Sequence, residues 1–548
     1  MNSLKLPGRF ALVFLLATWG YFLFFMPTFD FDESLYRRVA EEMKLSHDYW
    51  RMTWDHWPVN HKPPLFYWLI CIFSFAVDGS AAGVSSLAAR LPNFCASLGI
   101  LGTLYWAGKK VADDSTRAGW APVLAFTSAL FPILTATTVI FDPIQTLALM
   151  PSLIIPTLVF HRGVKLKPLH WTVWSLSLFL SCALKGLNGM VIPSLALGFH
   201  LLINIKNEGV GKTFRFGLRF LGFVFLPAVA LTALFYFGLD HRIGPQFTHE
   251  FLWIQHFERS QVPMEEHSGS YLYHFWVIFF GAGFLAPLLL DRARRTKVSY
   301  GKQGFPLTYA FTFVLVFSFS ATKLPHYTWP VWPALALYFG VLLSLVKETG
   351  FEPSKRSPLP LQQVLKVVSF LPVLILGMTL LALATQSDLL LQTFAKSLAA
   401  QSVAKQFGGF EGWEKSLFFV GAITCFFSQL RRRSITASVE TNALLAAFVT
   451  LCLVLGLGRT ARNLMVMPFE EMAQTLKLRG VQTGDCIRYS GAQSPTFSLA
   501  LGNQIFHNRC EPQDLKYLVA PEWKAQECET RNLSRLEQKS YLVLCGKK

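Results

Sequence analysis

The segment Asn60–Trp68 reads NHKPPLFYW and joins one lysine, two prolines and three aromatic residues. A polar cluster, Asp30–Tyr36 (DFDESLY), precedes it, and both lie after an apolar run near residues 10–27. Proline fixes its own backbone and disfavours helix at the residue before it. We therefore expect Lys62 to sit on a stiff turn just outside the first apolar run. The aromatic residues after it would anchor a following helix at the water boundary.

The composition predicts a polytopic helical membrane protein. Of 548 residues, 52% are hydrophobic and only 15% are charged, which exceeds the apolar content of an ordinary soluble domain. Roughly 20 apolar residues cross a hydrocarbon core of about 30 Å. About thirteen runs reach or approach this length, near 10–27, 86–108, 118–134, 142–160, 170–185, 188–205, 217–238, 272–290, 307–321, 327–346, 366–386, 416–430 and 441–458.

The net charge of +17 indicates topology, because the basic residues alternate along the chain. Half of the Lys and Arg residues fall in seven segments, 1–9, 109–117, 161–169, 203–219, 291–305, 346–366 and 431–440. The positive-inside rule puts these segments and the N-terminus on the cytoplasmic side. With thirteen crossings, the chain after residue 458 lies on the outer face. We expect no nucleic-acid partner, since topology accounts for the basic excess.

The tail 459–548 is predicted to be a small α/β domain. A helix-like segment, MPFEEMAQTLKL, precedes four strand-like segments, CIRYS, QIFH, YLVAP and YLVLC. The tail holds four cysteines, Cys486, Cys510, Cys528 and Cys545, which indicate two disulfides in any of three pairings. Their spacing lacks the CxxC pairs typical of a zinc site, so metal binding is the weaker interpretation.

Three long outer loops are predicted within the catalytic part of the chain, 1–458, at 28–85, 239–271 and 387–415. In the first, Glu33–Leu45 has helical spacing with apolar residues on one side. Pro64–Val77 is apolar but too short to cross a bilayer. We expect both segments to form interfacial helices.

Ionisable and hydrogen-bonding residues are concentrated on the predicted outer face. They are Asp30, Asp32, Glu33, Lys62, Asp142, Lys185, His256, Glu258, Arg259, Lys323, His326 and Tyr327. Each alone has an ordinary alternative, since carboxylates cap helices and lysines snorkel. Together, cations and carboxylates at one membrane face indicate a site that binds a phosphate anion and also needs a base.

The motifs DESLY, KPPL, AARLP (Ala88–Pro92), LKG (Leu184–Gly186) and KLPHYTWPVWPALAL (Lys323–Leu337) occur in this order. In order and spacing they resemble the polyprenyl-phosphate-dependent glycosyltransferases of the GT-C fold. The resemblance is strongest to the bacterial lipid A aminoarabinose transferases, distant relatives of the protein O-mannosyltransferases. It implies a bacterial inner-membrane enzyme that moves a sugar from an undecaprenyl-type phosphate carrier to a periplasmic acceptor, lipid A first among them. The tail domain would then be periplasmic.

The resemblance and the chemistry together suggest roles. A lipid phosphate is a good leaving group, so cations are needed to hold it: Lys62 first, with Arg259, Lys323 and Tyr327 as helpers. Asp32, Glu33 and Asp142 are the predicted catalytic carboxylates, acting on a hydroxyl acceptor as bases or positioning groups. An ionised phosphate acceptor would need no base. Further predicted substrate contacts are Tyr36, Lys185, His256 and His326.

No cofactor is required by this chemistry. A divalent ion held by His61 and His256 is the weaker alternative. Other acceptors within the same fold would make the protein an O-glycosyltransferase of proteins, or a glycan polymerase or ligase. A flippase or transporter of a lipid-linked sugar is the alternative from another class. It predicts broken helices with ionisable groups at the bilayer midplane and paired halves, whereas here the charges lie at one face.

Overall fold

Long apolar helices make up most of the structure, a computed structural model. It describes residues 4–26, 28, 31–55, 57–80, 83–112, 116–264, 267–295, 303–349, 359–386, 409–430, 439–481, 485–489, 499–500, 515–531, 533–539 and 542–546. The predicted third outer loop and the predicted strand QIFH lie largely or wholly outside these residues.

The helices of the membrane part follow the predicted apolar runs. Their bounds are Leu6–Phe24, Ser86–Val111, Thr116–Thr127, Leu130–Thr135, Asp142–Arg162, Pro168–Lys185, Asn188–Glu208, Val210–Phe220, Leu226–Ile243, Tyr273–Ala282, Leu285–Arg295, Phe305–Phe319, Val331–Thr349, Leu359–Thr385, Gly412–Leu430 and Val439–Met465. A π-helical turn, Leu221–Phe225, joins two of them, and a second, His249–Glu258, lies between the short helices Gln246–Thr248 and Arg259–Gln261. Each predicted span coincides with one helix or with two consecutive helices.

Seven helical stretches among the described residues are long and apolar enough to cross a membrane by length and composition. The predicted class, a polytopic helical membrane protein with a small sheet domain at its C-terminal end, is confirmed. The number of crossings, thirteen, stays a prediction. The helix Leu6–Phe24 packs along Val439–Met465, so the first and last apolar runs are neighbours in the bundle.

The first outer loop folds as predicted into two helices, here named the first-loop helix (Phe31–Ser46) and the KPP helix (Leu65–Val77). The KPP helix begins directly after Pro64, which is its N-cap. A short hairpin joins them, with strand β1 (Thr53–Trp54) antiparallel to β2 (Trp57–Pro58). Lys44 fastens the two helices, because its buried ammonium donates to the Ser74 hydroxyl at 2.8 Å.

A buried arginine joins this loop to the bundle. Arg90, fully buried in the helix Ser86–Val111, donates through Nη1 to the carbonyl oxygen of Phe22 at 2.7 Å and also to that of Met26. Its Nη2 meets the Glu33 carboxylate at 3.0 Å, and that carboxylate also accepts the backbone N–H of Val139 at 2.8 Å. One guanidinium therefore holds the end of the first helix, and through Glu33 it holds the first-loop helix and the segment that leads to Asp142.

The C-terminal part forms a four-stranded sheet. Its strands are β3 (Cys486–Tyr489), β4 (Leu515–Pro521), β5 (Ser534–Lys539) and β6 (Leu542–Gly546), in the order β3-β4-β6-β5. β3 and β4 are parallel, whereas β6 is antiparallel to both of its neighbours. The helix Met467–Leu478 covers one face of the sheet, and β5 is a strand that the sequence did not predict.

The predicted disulfides are partly confirmed. Cys528 and Cys545 are bonded, which joins the helix Gln526–Thr530 to β6. Cys510, required for the second predicted bond, lies outside the described residues. The last membrane helix runs on to Met465, beyond the predicted domain boundary at 458.

Replacing Arg90 tests whether its guanidinium holds the loop. We expect Arg90→Ala to lower the free energy of unfolding by about 3–5 kcal/mol, because it leaves the buried Glu33 charge without its cation. Thermal unfolding of the purified protein in detergent measures the change. Arg51→Ala is the matched control, since the Arg51–Asp48 pair is largely exposed and contributes little. Equal melting temperatures for the two variants would contradict the assignment.

Candidate active site

A buried ion pair, Asp142 with Lys185, forms the floor of the candidate site. Asp142 is the first residue of the helix Asp142–Arg162, with Pro143 next, and Lys185 is the last residue of Pro168–Lys185. The Lys185 ammonium donates to Asp142 Oδ1, and the two side chains are 7% and 3% exposed. Two helix ends therefore place opposite charges in contact.

Residues of the motif KLPHYTWP close one side of this pair. His326 Nε2 lies 3.8 Å from Asp142 Oδ2. The Lys185 ammonium lies 4.9 Å from the centroid of the Tyr327 ring. Because the ring face is electron-rich, Tyr327 stabilises the Lys185 cation.

The segment before Asp142 is fixed by polar side chains from the helix Ser86–Val111. Asn93 donates to the carbonyl oxygens of Thr138 and Ile140, the second at 2.7 Å. Ser97 donates to the carbonyl oxygen of Ala136 at 2.9 Å. Since these carbonyls leave regular helix, the side chains supply the hydrogen bonds that the backbone lacks and position Asp142.

Two further cations act on the pair. Lys62, partly exposed before the KPP helix, is within electrostatic range of Asp142, His256 and His326. Arg259, 9% exposed, is within range of Lys185 and both histidines, and its Nη1 donates to Gln255 Oε1 at 2.7 Å. A site with three cations around one buried carboxylate carries excess positive charge and suits an anion.

Asp32 supplies the second carboxylate. It lies in the first turn of the first-loop helix and acts electrostatically on Lys185 and His326. Within the described part of the chain, no side chain or backbone N–H hydrogen-bonds to it. Asp32 is half-buried, so its oxygens are available to a ligand or substrate.

His256 is held as a neutral imidazole. Its Nδ1 donates to the carbonyl oxygen of Phe251 at 2.8 Å, and its Nε2 accepts the backbone N–H of Leu187 at 3.2 Å. Burial lowers the pKa of His256 to about 4, and the charges of Lys62 and Arg259 act in the same direction. His256 therefore ties the second outer loop to the turn after Lys185.

Eight predicted site residues thus meet in one place. They are Asp32, Lys62, Asp142, Lys185, His256, Arg259, His326 and Tyr327. They come from five separate parts of the sequence, which the fold brings together.

Glu33, Lys323 and Tyr36 are placed differently. Glu33 is 1% exposed and engaged by Arg90 and Val139, which argues against its predicted catalytic role. Tyr36 packs edge-on against Phe141 at 4.9 Å within an aromatic cluster, so its ring is a packing element.

Lys323 is engaged by the backbone rather than by the site. Its ammonium donates to the carbonyl oxygens of Ser318 at 2.6 Å and of Ser320. These carbonyls end the helix Phe305–Phe319, so Lys323 acts as a C-terminal cap. Burial lowers the pKa of its ammonium. This geometry does not favour the predicted contact of Lys323 with the donor phosphate.

The candidate metal ligands do not form a metal centre among the described residues. No group of three or more His, Cys, Asp or Glu side chains is arranged to hold an ion there. Both ring nitrogens of His256 are already hydrogen-bonded to backbone groups, and His61 is exposed at the surface.

Two residues of the site were not predicted from the sequence. Gly186 has φ of +122°, and a Cβ there would lie 2.1 Å from His256 Nε2, so only glycine fits between Lys185 and His256. Its place in the motif LKG was the available signal. Tyr67, in the KPP helix, is fully buried within electrostatic range of Asp32, and its hydroxyl has no partner in the described part of the protein.

Comparison with solved structures identifies the fold. The chain superposes on the crystal structure of ArnT from Cupriavidus metallidurans bound to undecaprenyl phosphate with a TM-score of 0.71. The superposition covers 98% of this chain and 97% of that one at 18% identity. This is the fold of ArnT. The apo form of the same protein gives the same TM-score at 16% identity.

Curated relatives are similar in sequence over part of their length. An undecaprenyl phosphate-alpha-4-amino-4-deoxy-L-arabinose arabinosyl transferase of Erwinia tasmaniensis is 23% identical over 321 residues, 56% of this chain and 54% of that protein. A second transferase of this name, from Sodalis glossinidius, is 26% identical over 359 residues, 62% of this chain and 59% of that protein. The chain thus spans little more than half of the relatives' length. No family model matches the chain.

The low pKa of His256 predicts an acid-sensitive contribution to stability. The unfolded chain binds a proton near the ordinary histidine pKa of about 6.5, whereas the folded protein binds it only near 4. Stability should therefore fall as pH drops from 6.5 to 4. We expect His256→Asn to lose this part of the pH dependence of the melting temperature, whereas His47→Asn, an exposed control, keeps it.

Gly186→Ala should disturb the site without removing any functional group. A methyl group at this position displaces the His256 ring, so the imidazole pKa should rise from about 4 towards its ordinary value. Histidine-selective NMR measures it. Gly209→Ala is the matched control, since its φ of +85° and ψ of 138° also lie outside the left-handed helical region, with nothing within 4 Å of the new carbon. An unshifted His256 in Gly186→Ala would refute the close contact.

Proposed function

We propose that this protein is a glycosyltransferase of the bacterial inner membrane that takes a sugar from a polyprenyl phosphate carrier. The acceptor lies on the periplasmic side, with lipid A the first candidate. The observation that carries this proposal is the convergence of Lys62, Lys185 and Arg259 on two carboxylates, Asp32 and Asp142, in a chain with the fold of ArnT.

The cations suit the donor phosphate. As the bond between the anomeric carbon and the phosphate oxygen breaks, its electron pair stays on the phosphate. Preorganised cations stabilise that developing charge without reorganising. Lys62 is the best placed, because it is partly exposed and held by two prolines. Arg259 adds a planar fork that matches phosphate oxygens.

Asp32 suits the acceptor. If the acceptor is a hydroxyl, its oxygen forms the new bond to the anomeric carbon and its proton passes to Asp32. General-base help of this kind contributes about 10²–10⁴ in rate. If the acceptor is an ionised phosphate, no proton moves, and Asp32 orients the sugar or the acceptor instead.

Asp142 is suited to positioning rather than to proton transfer. Its Oδ1 accepts from Lys185, and its other oxygen faces His326. A carboxylate held this way keeps Lys185 at a fixed place and limits the positive charge of the empty site. A phosphate anion that enters the site competes with Asp142 for the Lys185 ammonium and so weakens this ion pair.

The relatives suggest the sugar and the acceptor. Two are named as transferases of 4-amino-4-deoxy-L-arabinose from undecaprenyl phosphate, and the solved ArnT was crystallised with undecaprenyl phosphate. We therefore take this aminosugar as the first candidate donor group. A protein acceptor, or glycan polymerisation or ligation, would use the same donor chemistry.

The clustering of charge also bears on the transporter alternative. The candidate groups lie at helix ends and in outer loops, whereas a lipid-linked sugar transporter would place them at broken helices in mid-membrane. This placement favours chemistry at one face. The periplasmic orientation of that face rests on the positive-inside pattern.

Mass spectrometry of lipid A tests the proposal. Cells that lack this gene should lose one sugar mass from lipid A, and the wild-type gene should restore it. Lys62→Ala and Asp32→Asn, expressed at matched protein levels, should fail to restore it. Asp48→Asn is the matched control, because this partly exposed carboxylate in the same loop serves only a local turn.

The outcomes separate the parts of the proposal. Unchanged lipid A in the deleted strain would refute this acceptor, and exported proteins and other envelope glycans would be analysed next. Full restoration by both site variants would refute the site. A third outcome is that Lys62→Ala loses sugar transfer, whereas Asp32→Asn lowers its rate less than about tenfold. This result would favour a phosphate acceptor, because the loss of a general base lowers the rate by more than that.

A further inference from the structure

A cavity lies at the end of the helix Asp142–Arg162 that is opposite to Asp142. It has a volume of about 510 Å³ and is lined by the ends of two helices, Asp142–Arg162 and Asn188–Glu208, and by the helix Val210–Phe220. Nine of the thirteen lining residues belong to two of the basic segments, 161–169 and 203–219, that the positive-inside rule assigns to the cytoplasmic side.

The cavity has cationic side chains at its rim and aromatic ones within. Arg162 and Lys212 line it, together with Asn204, Glu208 and Phe216. Lys212 is largely exposed and ion-pairs with Glu208. His200 also lines it, 1% exposed, with its ring 4.5 Å from that of Phe160. A volume of several hundred cubic ångströms with a few polar groups is typical of a small-molecule site.

The helix Val210–Phe220 shows what kind of molecule fits. Its apolar residues Val210, Phe214 and Leu218 are spaced by one helical turn and are 67%, 64% and 51% exposed. Its basic residues Lys212, Arg215 and Arg219 lie on the opposite side of the helix. A helix of this pattern lies in the membrane interface, with lipid covering the apolar side. The rim of the cavity is therefore next to lipid headgroups.

We propose that this cavity binds the phosphate headgroup of an anionic membrane lipid from the cytoplasmic leaflet. Basic pockets between membrane helices on this side recognise such headgroups, and the leaflet there is rich in anionic lipid. Arg162 and Lys212 contact the phosphate, while the acyl chains extend from the cavity into the bilayer. This site is distinct from the outer-face site and does not depend on the proposed sugar transfer.

Native mass spectrometry of the full-length protein tests the site, with phosphatidylglycerol as the probe and phosphatidylcholine as the neutral comparison. We expect the protein to retain phosphatidylglycerol in preference to phosphatidylcholine. Arg162→Gln and Lys212→Gln should each weaken retention about fivefold. Glu208→Gln should strengthen it, because the substitution removes an anion and releases Lys212 from its ion pair.

Arg215→Gln is the matched control. Arg215 is exposed on the same helix and does not line the cavity, so its loss should change retention less than twofold. An equal loss in Arg215→Gln would show diffuse surface attraction and overturn the site. Equal retention of the two lipids would also overturn it. Melting temperatures confirm that each variant is folded, and the exposed position of Lys212 keeps that variant informative if Arg162→Gln fails to fold.

A soluble anion is the remaining occupant to distinguish. Glycerol 3-phosphate carries the same phosphate without acyl chains. We expect that glycerol 3-phosphate, at concentrations comparable to that of the lipid, does not displace phosphatidylglycerol. Displacement at equal concentration would show that the chains contribute nothing, and the assignment to a membrane lipid would be wrong.

Discussion

The guanidinium of Arg90 is the interaction on which the arrangement of the candidate site depends. A fully buried charge is costly unless every donor is used and its charge is balanced. Arg90 meets that requirement with two carbonyl oxygens at the end of the first helix and with the Glu33 carboxylate. Glu33 in turn accepts the Val139 N–H, three residues before Asp142. Because separating the buried Arg90–Glu33 ion pair is costly, this pair fixes the position of the first outer loop relative to Asp142.

The same principle recurs at Lys323 and at Lys44, where an ammonium satisfies oxygens at the end of a helix or a loop. These lysines help to hold the segments outside the bundle in place. The site cations Lys62 and Arg259 differ in lying within electrostatic range of the Asp142–Lys185 pair. Structural and ligand-binding cations are therefore of the same residue types and differ only in their surroundings.

The sequence predicted the helical membrane architecture and the outer-loop helices because both depend on local apolar length and periodicity. Prolines after Lys62 predicted the start of the KPP helix for the same reason. The site was predicted as a set, since charges at one membrane face are conspicuous. The roles of Glu33, Lys323 and Tyr36 were not predictable, because they depend on oxygens or rings contributed by distant segments. Strand β5, SRLEQK, has no alternating apolar pattern and is a strand only because β6 pairs with it.

The sheet order β3-β4-β6-β5 puts the strand that is last in sequence between two earlier ones. Neither β4 nor β5 can complete its pairing during synthesis until β6 has also been made. The hydrogen bonds between β3 and β4 span the longest sequence separation in the sheet, and such non-local pairing is slow. The C-terminal part therefore keeps unpaired strand edges until β6 is available, and such edges are prone to wrong pairing during folding.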